Sequence, residues 1–129
     1  MHERIITGLL LFVAAIHLLP VVGVLGGDRL ATLYDIQVDD QNLELLLRHR
    51  AILFGLLGLF VGYAAFIPAL QPLAFIGGLI SVVSFLVLAY SVESINSAIS
   101  RVVAADIIAT TALIVAIGLY ATTDPGDQK

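Results

Sequence analysis

The chain has 129 residues, of which 60% are hydrophobic and only 12% are charged, and its net charge at pH 7 is −4. Ordinary soluble domains contain about 45–50% apolar and about 25% charged residues, and these few charges could not cover the surface of a soluble protein of this size. The composition therefore excludes a water-soluble domain and argues against nucleic-acid binding. The absence of cysteine excludes disulfides, thiolate metal ligands and cysteine nucleophiles.

Four hydrophobic segments are long enough to cross the apolar core of a bilayer, which takes about 20 residues in a helix. Because backbone groups in lipid must be hydrogen-bonded within their own segment, each segment is predicted to be a helix. The predicted spans are about 5–25, about 51–70 extended N-terminally toward 40, about 73–92 and about 102–122. We therefore predict one integral membrane domain over 1–129, an all-α antiparallel bundle of four transmembrane helices with both termini on the same side.

The segment between the first two helices is the longest polar stretch. Its first part, "GGDRLATLYDIQV", predicts a break and then a short amphipathic, interfacial segment with Leu30, Leu33 and Tyr34 on one side. Asp39 or Asp40 is a candidate N-cap for the second helix, whose leucines continue into the membrane span without a breaker.

Two further features concern the ends and turns of the chain. The stretch "ALQP" predicts a tight hairpin between the second and third helices, with Pro68 and Pro72 at its shoulders. The first segment could instead be a cleaved signal peptide, but its length of 21 residues exceeds a typical signal core, so we expect it to stay in the bundle. The C-terminal "TTDPGDQK" is predicted to be a polar, mobile end.

Small residues recur at helical spacing on three of the four helices and indicate the faces that pack, because helices in lipid approach closely through Gly, Ala and Ser. We expect these faces to pack within the chain, with a homo-oligomer interface as the alternative. The stripes are Ala51, Gly55, Gly58, Gly62 and Ala69 on the second helix, Ala74, Gly77, Gly78, Ser81 and Ser84 on the third, and Ala105, Ala109, Ala112 and Ala116 on the fourth.

Ionisable residues are concentrated in the half of the bundle next to the long loop. Such groups are costly inside a membrane and usually face a partner or a watery cavity, so the sequence predicts a one-sided polar pocket. The glycine stripe, extended backwards at 100° per residue, puts Arg48 on the packing face and His49 and Arg50 on its flanks. Arg48 is therefore the arginine that we expect to be buried.

Two interpretations of these residues remain open. In the first, the pocket binds or transports a small anionic or amphipathic ligand, such as a lipid or a quinone-like molecule. Its candidate ligand-binding residues are Arg48, His49, Arg50, Arg101, Asp106 and His17. In the second, a non-catalytic structural or accessory membrane protein uses a buried ion-pair lock. The candidate ion-pair residues are Glu44, Arg48, Glu93, Arg101 and Asp106. An open pocket should leave at least one arginine without a carboxylate partner, whereas a lock should pair them all.

Simpler roles compete with both interpretations. The arginines could extend to lipid phosphates, and His17 could be a neutral histidine hydrogen-bonded to a neighbouring helix. His17, His49 and Asp106 lack recognisable metal-ligand spacing, so we predict no metal, no haem and no other cofactor. No serine, histidine and acid triad can be assembled. A membrane enzyme with Asp106 or His17 as a proton carrier ranks third, and no catalytic residue is predicted.

Several stretches resemble a family of small four-helix bacterial membrane proteins with no established activity. They are "AAIHLLPVVGVLGG", "LYDI", "LLRHRAILFGLLG", "ALQPLAFIGGLISVVSFL" and "RVVAADIIA", which fall between Ile5 and Ala121. The resemblance implies a multi-pass protein of the bacterial cytoplasmic (inner) membrane. Members are often labelled phosphopantetheine adenylyltransferase, a soluble enzyme with an H-x-G-H motif. The histidines of this chain, at 2, 17 and 49, cannot form that motif, so the residues do not support this activity.

The orientation in the membrane stays open at the level of sequence. Loop-side arginines outnumber the basic residues near the termini, Arg4 and Lys129, and the positive-inside rule then puts the long loop in the cytoplasm. If three of those arginines serve a site, the count becomes about even and the rule no longer decides.

Overall fold

The structure, a computed structural model, describes residues 1–123, and this part of the chain is helical with no strand. The tail that was predicted to be mobile lies, from residue 124 to Lys129, outside the described residues. The helices are α1 (His2–Leu18), which continues as a 3-10 helix (Leu19–Leu25), α2 (Gly27–Tyr34), α3 (Gln41–Ala64), a 3-10 turn (Pro68–Leu70), α4 (Gln71–Tyr90) and α5 (Ser97–Ala121).

Four helical segments in residues 1–123 are long and apolar enough to cross a membrane: His2–Leu25, Gln41–Ala64, Pro68–Tyr90 and Ser97–Ala121. Large apolar side chains cover the outside of the bundle, among them Leu19 at 67% exposure and Phe66 at 68%. Such a surface suits lipid rather than water. The predicted fold class, an all-α bundle of four transmembrane helices with a short amphipathic segment between the first two, is confirmed.

The first membrane segment changes its winding near Pro20. Proline has no N–H to donate to the carbonyl four residues earlier, and the chain tightens into the 3-10 helix at Leu19. That helix ends at Gly26, whose φ of 136° suits glycine and few other residues. The chain then turns into α2, which buries Leu30 and Tyr34.

Helix α3 begins beside its predicted cap. The Asp40 carboxylate accepts hydrogen bonds from the backbone N–H groups of Asn42 (2.6 Å) and Leu43 (3.2 Å). These bonds favour the ionised form and lower the pKa of Asp40, which lies outside the membrane-spanning segments. The cap fixes where the helix starts, at Gln41.

The end of α3 differs from the sequence-based prediction. The helix ends at Ala64 rather than at about 70, because Pro68 cannot donate to the carbonyl of Ala64 and its ring would clash there. The turn is therefore formed by residues 65–67, and Pro68–Leu70 already leads into α4. This ending exposes the carbonyl of Ala65, which accepts hydrogen bonds from Thr7 Oγ1 (2.9 Å) and Gln71 Nε2 (3.4 Å).

The stripe of small residues on α3 packs against the first membrane segment. A Cβ added at Gly58 would stand 2.9 Å from Leu18 Cγ and 3.1 Å from the Ala14 carbonyl oxygen. Glycine is what permits this close approach of α1 and α3. The stripe is thus used within the chain, as expected. Helices α1, α3, α4 and α5 also enclose an apolar core that includes Leu10, Phe75 and Leu113.

Candidate functional site

A cavity of about 430 Å³ lies between α1, α2, α3 and α5, in the half of the bundle next to α2. Most of its wall is apolar. The apolar lining residues are Ile16, Leu19, Pro20, Leu33, Phe54, Ala98, Val102 and Ala105, and the polar ones are His17, Thr32, Tyr34, Arg50, Arg101 and Asp106. Four of the six predicted ligand-binding residues therefore line one cavity, and the other two, Arg48 and His49, do not.

Arg50 is held in the wall of this cavity by aromatic side chains. Its Cζ lies 4.6 Å from the ring centroid of Phe54, 5.4 Å from that of Tyr34 and 5.9 Å from that of Phe85. Its Nη1 also donates a hydrogen bond to Tyr34 Oη at 3.0 Å. Ring faces stabilise a cation without neutralising it. Arg50 is therefore positioned with its charge available to a ligand.

Asp106 is the one acidic residue in the described lining of the cavity, and its relative exposure is 9%. No residue in 1–123 donates a hydrogen bond to its carboxylate, and no arginine nitrogen there lies within 4.0 Å of it. It sits nine residues into α5, and Arg50 sits nine residues into α3, so both lie at about 14 Å from their helix starts. A carboxylate and a guanidinium thus face one cavity at similar depth, unpaired.

His17 is fully occupied by hydrogen bonds. Its Nδ1 lies 2.9 Å from the carbonyl oxygen of Val13, and its Nε2 lies 3.1 Å from Ser81 Oγ on α4. Because a carbonyl can only accept, Nδ1 carries the proton, which leaves Nε2 of the neutral ring to accept from the Ser81 hydroxyl. The geometry is that of the interhelical bond considered from sequence, and the His17 ring, which lines the cavity, is tilted by 46° against the Phe54 ring at a centroid distance of 5.8 Å.

The expectation that Arg48 is buried is wrong. Its side chain is 48% exposed and points away from the cavity. It donates from Nε to the Val24 carbonyl (2.9 Å) at the end of the first membrane segment, and its Nη1 lies 3.5 Å from Glu44 Oε1. Glu44 Oε1 in turn accepts from the backbone N–H of Gly27 at 3.2 Å, where α2 begins.

Glu44 and Arg48 thus form a clamp that ties α3 to the junction between the first membrane segment and α2. The arginine meets free carbonyls at a helix end and the glutamate meets free N–H groups at a helix start, the arrangement that helix dipoles favour. It is the only ion pair within 4.0 Å in the described part of the chain. Of the candidate ion-pair residues, only Glu44 and Arg48 pair within residues 1–123, and this pair is partly exposed rather than buried.

The remaining predicted residues lie on the surface or at the rim. Glu93 is exposed in the turn before α5, and His49 is exposed on α3. Arg101 is exposed at the rim of the cavity and forms no ion pair with a residue in 1–123. Of the predicted ion pairs, none forms between Glu93, Arg101 and Asp106 within 4.0 Å.

Helix α2 lies over the cavity and is fixed at both ends. Glu44 holds its start, as described above. At its end, Asn96 Nδ2 donates to the carbonyls of Tyr34 (2.8 Å) and Asp35 (2.9 Å), while Asn96 Oδ1 caps α5 by accepting from the N–H of Ile99 (2.8 Å). One asparagine thus joins α2 to the start of α5.

The aromatic residues around Arg50 were not identified from the sequence. Phe54 follows Arg50 by four positions, so a cation over a ring on one helix face could have been read from that spacing. Tyr34 and Phe85 come from other helices and carry no local signal. In residues 1–123 no group of three or more His, Asp or Glu side chains could hold a metal ion.

Comparison of the chain with protein-family models, with curated proteins and with solved structures gave no match. The chemistry of the cavity is therefore inferred from its own residues.

Proposed function

We propose that this protein binds, or transports through the same site, an amphipathic ligand with an anionic group, taken from the membrane. The observation that carries this proposal is Arg50, whose guanidinium faces the cavity between aromatic rings and has no carboxylate within 4.0 Å in residues 1–123. An arginine placed in this way is a donor of charge-assisted hydrogen bonds to phosphate or carboxylate.

The polar end of the ligand is constrained by Asp106 as well. Its carboxylate accepts no hydrogen bond from residues 1–123, and no side-chain oxygen there is both fully buried and unbonded, so the Asp106 oxygens are open to the cavity. A ligand that carries a hydroxyl or an amine would supply a donor. The site therefore fits a molecule in which an anionic group meets Arg50, and Arg101 at the rim, while a hydroxyl or amine reaches Asp106.

The rest of the ligand is expected to be apolar. The cavity volume of about 430 Å³ lies within the range of roughly 300–1,000 Å³ typical of small-molecule sites, and Ile16, Leu19, Phe54 and Val102 provide most of its contact surface. A lipid with a small headgroup, a fatty acid or a quinone-like molecule would fit this chemistry.

The alternative is a structural or accessory protein in which the same residues lock the bundle. The ion pairs favour it less, because only Glu44 and Arg48 pair while Arg50 and Arg101 have no carboxylate partner in residues 1–123. We further propose a location in the bacterial cytoplasmic membrane, as the resemblance of the sequence implies, with both termini on one side because the number of spans is even.

The experiment is native mass spectrometry with lipid identification on protein purified in a mild detergent. Wild type would be compared with Arg50→Gln and Asp106→Asn, and with Arg29→Gln as the control, since Arg29 is an exposed arginine on α2 away from the cavity. We expect a defined small molecule on wild type and Arg29→Gln, reduced about tenfold or more by Arg50→Gln, because charge-assisted hydrogen bonds are worth about 1.5–3 kcal/mol.

Retention of the same molecule by wild type and Arg50→Gln would contradict the proposal. So would an empty wild-type protein after titration with anionic, zwitterionic and neutral membrane lipids, in which case the lock would be the better description.

A further inference from the structure

A second concave surface runs between α3 and α4, on the other side of Arg50 from the cavity. This lateral groove has a volume of about 300 Å³ and is lined chiefly by Leu53 and Leu57 on α3 and by Ser84, Phe85 and Leu88 on α4. It exists because α3 packs mainly on α1 while α4 packs mainly on α5, so the two helices leave a furrow between them. From Arg50 to Leu57 the helix rises about 10 Å.

The groove is apolar in effect although two serines lie in it. Ser84 Oγ donates to the carbonyl of Ser81 on its own helix at 3.0 Å, and Ser81 Oγ is bonded to His17 Nε2 at 3.1 Å. Both hydroxyls are therefore satisfied by the protein. Leu53 and Leu88 are 51% and 66% exposed at the edges of the groove, on the surface that the surrounding lipid contacts.

Arg50 and Phe54 belong to both the groove and the cavity, so a single layer of two side chains separates them. Arg50 is the one charged residue lining the groove, at the end toward α2. The lateral groove is apolar and borders an arginine without a carboxylate partner. It therefore matches a lipid in charge and shape, with the headgroup at the cation and the chain along the helices.

We propose that the lateral groove is a chain-binding subsite, occupied by one acyl chain of a bilayer lipid whose anionic headgroup is bound at Arg50. This inference rests on the proposed function and adds the class of ligand and its route, since the chain would lie at the lipid-facing surface and the headgroup would meet the Arg50 guanidinium from the groove side. Helix α2, fixed at both ends over the cavity, is not required to move.

The test is photo-crosslinking in nanodiscs with phosphatidylglycerol that carries a diazirine in mid-chain, compared with phosphatidylcholine bearing the same chain. We expect the anionic probe to label Leu53, Leu57 and Ser81, which line the groove below Arg50, above the level at a lipid-facing position of similar depth outside the groove, such as Ile80, which is 64% exposed. Arg50→Gln should reduce this labelling about tenfold, toward the level of phosphatidylcholine.

Ser84→Phe fills the groove from an exposed position, and Val87→Phe adds the same ring on α4 outside it. Groove labelling should be lost in the first variant and kept in the second. Leu88→Trp, at the other end of the groove, provides a second filling variant should Ser84→Phe misfold. Uniform labelling along α4 would overturn the inference. So would groove labelling that is the same for phosphatidylglycerol and phosphatidylcholine, both in wild type and in Arg50→Gln.

A short-chain, water-soluble phosphatidylglycerol separates this inference from the proposed function. If it binds in a manner that depends on Arg50 while the groove is not labelled, the headgroup site stands and the chain subsite is wrong. If neither the short-chain nor the long-chain phosphatidylglycerol binds, both the headgroup site and the chain subsite are wrong.

Discussion

The two halves of the bundle treat their polar groups in opposite ways. In the half near the α3–α4 turn, Thr7 and Gln71 both donate to the carbonyl of Ala65, and the space between the helices is filled by apolar side chains. In the half near α2, Arg50 and Asp106 face a cavity without pairing. A polar group in a membrane protein is expensive wherever it lies. Unpaired groups in one half only are what the proposed ligand site would require.

The largest effect on the free energy of unfolding is expected at the contact of α1 with α3, two helices that run through both halves. Gly58→Ala places a Cβ within 2.9 Å of Leu18 and 3.1 Å of the Ala14 backbone, and overpacking of this kind costs about 1–3 kcal/mol. Gly118→Ala is the control, because nothing lies within 4 Å of a Cβ there. Reversible unfolding in mixed micelles would measure both. Equal stabilities for the two variants would show that α1 and α3 are not held together at Gly58.

The second prediction contrasts the halves directly. Asp106→Asn should raise the free energy of unfolding of the ligand-free protein by roughly 1–2 kcal/mol, part of the 2.5–3.5 kcal/mol cost of inserting a carboxylate. Gln71→Leu, in the other half, should lower it by about 0.6 kcal/mol, a typical interhelical hydrogen bond in a membrane. The same unfolding experiment applies. A loss of about 3–5 kcal/mol in Asp106→Asn would instead reveal a buried ion pair.

The smallest effect concerns the clamp of Glu44 and Arg48, which is partly exposed. In a double-mutant cycle with Glu44→Gln and Arg48→Gln we expect a coupling energy of about 0.3–0.5 kcal/mol, the usual value for an i,i+4 pair. Amide hydrogens at the start of α2 should exchange faster in Glu44→Ala, because Gly27 then loses its acceptor, whereas glutamine would keep one. Unchanged exchange in α2 would mean that the clamp does not hold this helix.

Hydrophobicity and proline chemistry allowed most of the fold to be predicted. The four spans, the amphipathic segment and the cap at Asp40 follow from local patterns. The end of α3 was misplaced because apolar residues continue past Ala64 to Leu70, and hydrophobicity carries no information about the N–H that Pro68 lacks.

Four of the predicted ligand-binding residues do share one cavity, but Arg48, the arginine expected to be buried, is exposed. The glycine stripe does face the first membrane segment, and Arg48 continues that stripe, but the first segment has ended at this level. Arg48 therefore meets a helix end and solvent, whereas Arg50, a flank residue, faces α2 and α5. A periodicity argument assumes that the facing helix is as long as the stripe. The ring of Tyr34 and the hydroxyl of Ser81 come from distant parts of the chain, which no local pattern could have shown.

The 3-10 winding of Leu19–Leu25 has a geometric consequence for the first membrane segment. With three residues per turn, side chains at i and i+3 stand directly above one another. Leu19, Val22 and Leu25 thus form one straight ridge on the outer side of this segment, at 67%, 48% and 75% exposure, with Leu19 also at the edge of the cavity, while Gly23 stands on the buried side. Adding or removing three residues here would change the span by about 6 Å and leave every ridge in place. A change of one residue would turn the ridges by a third of a circle, so this segment can adjust its length to bilayer thickness only in steps of three.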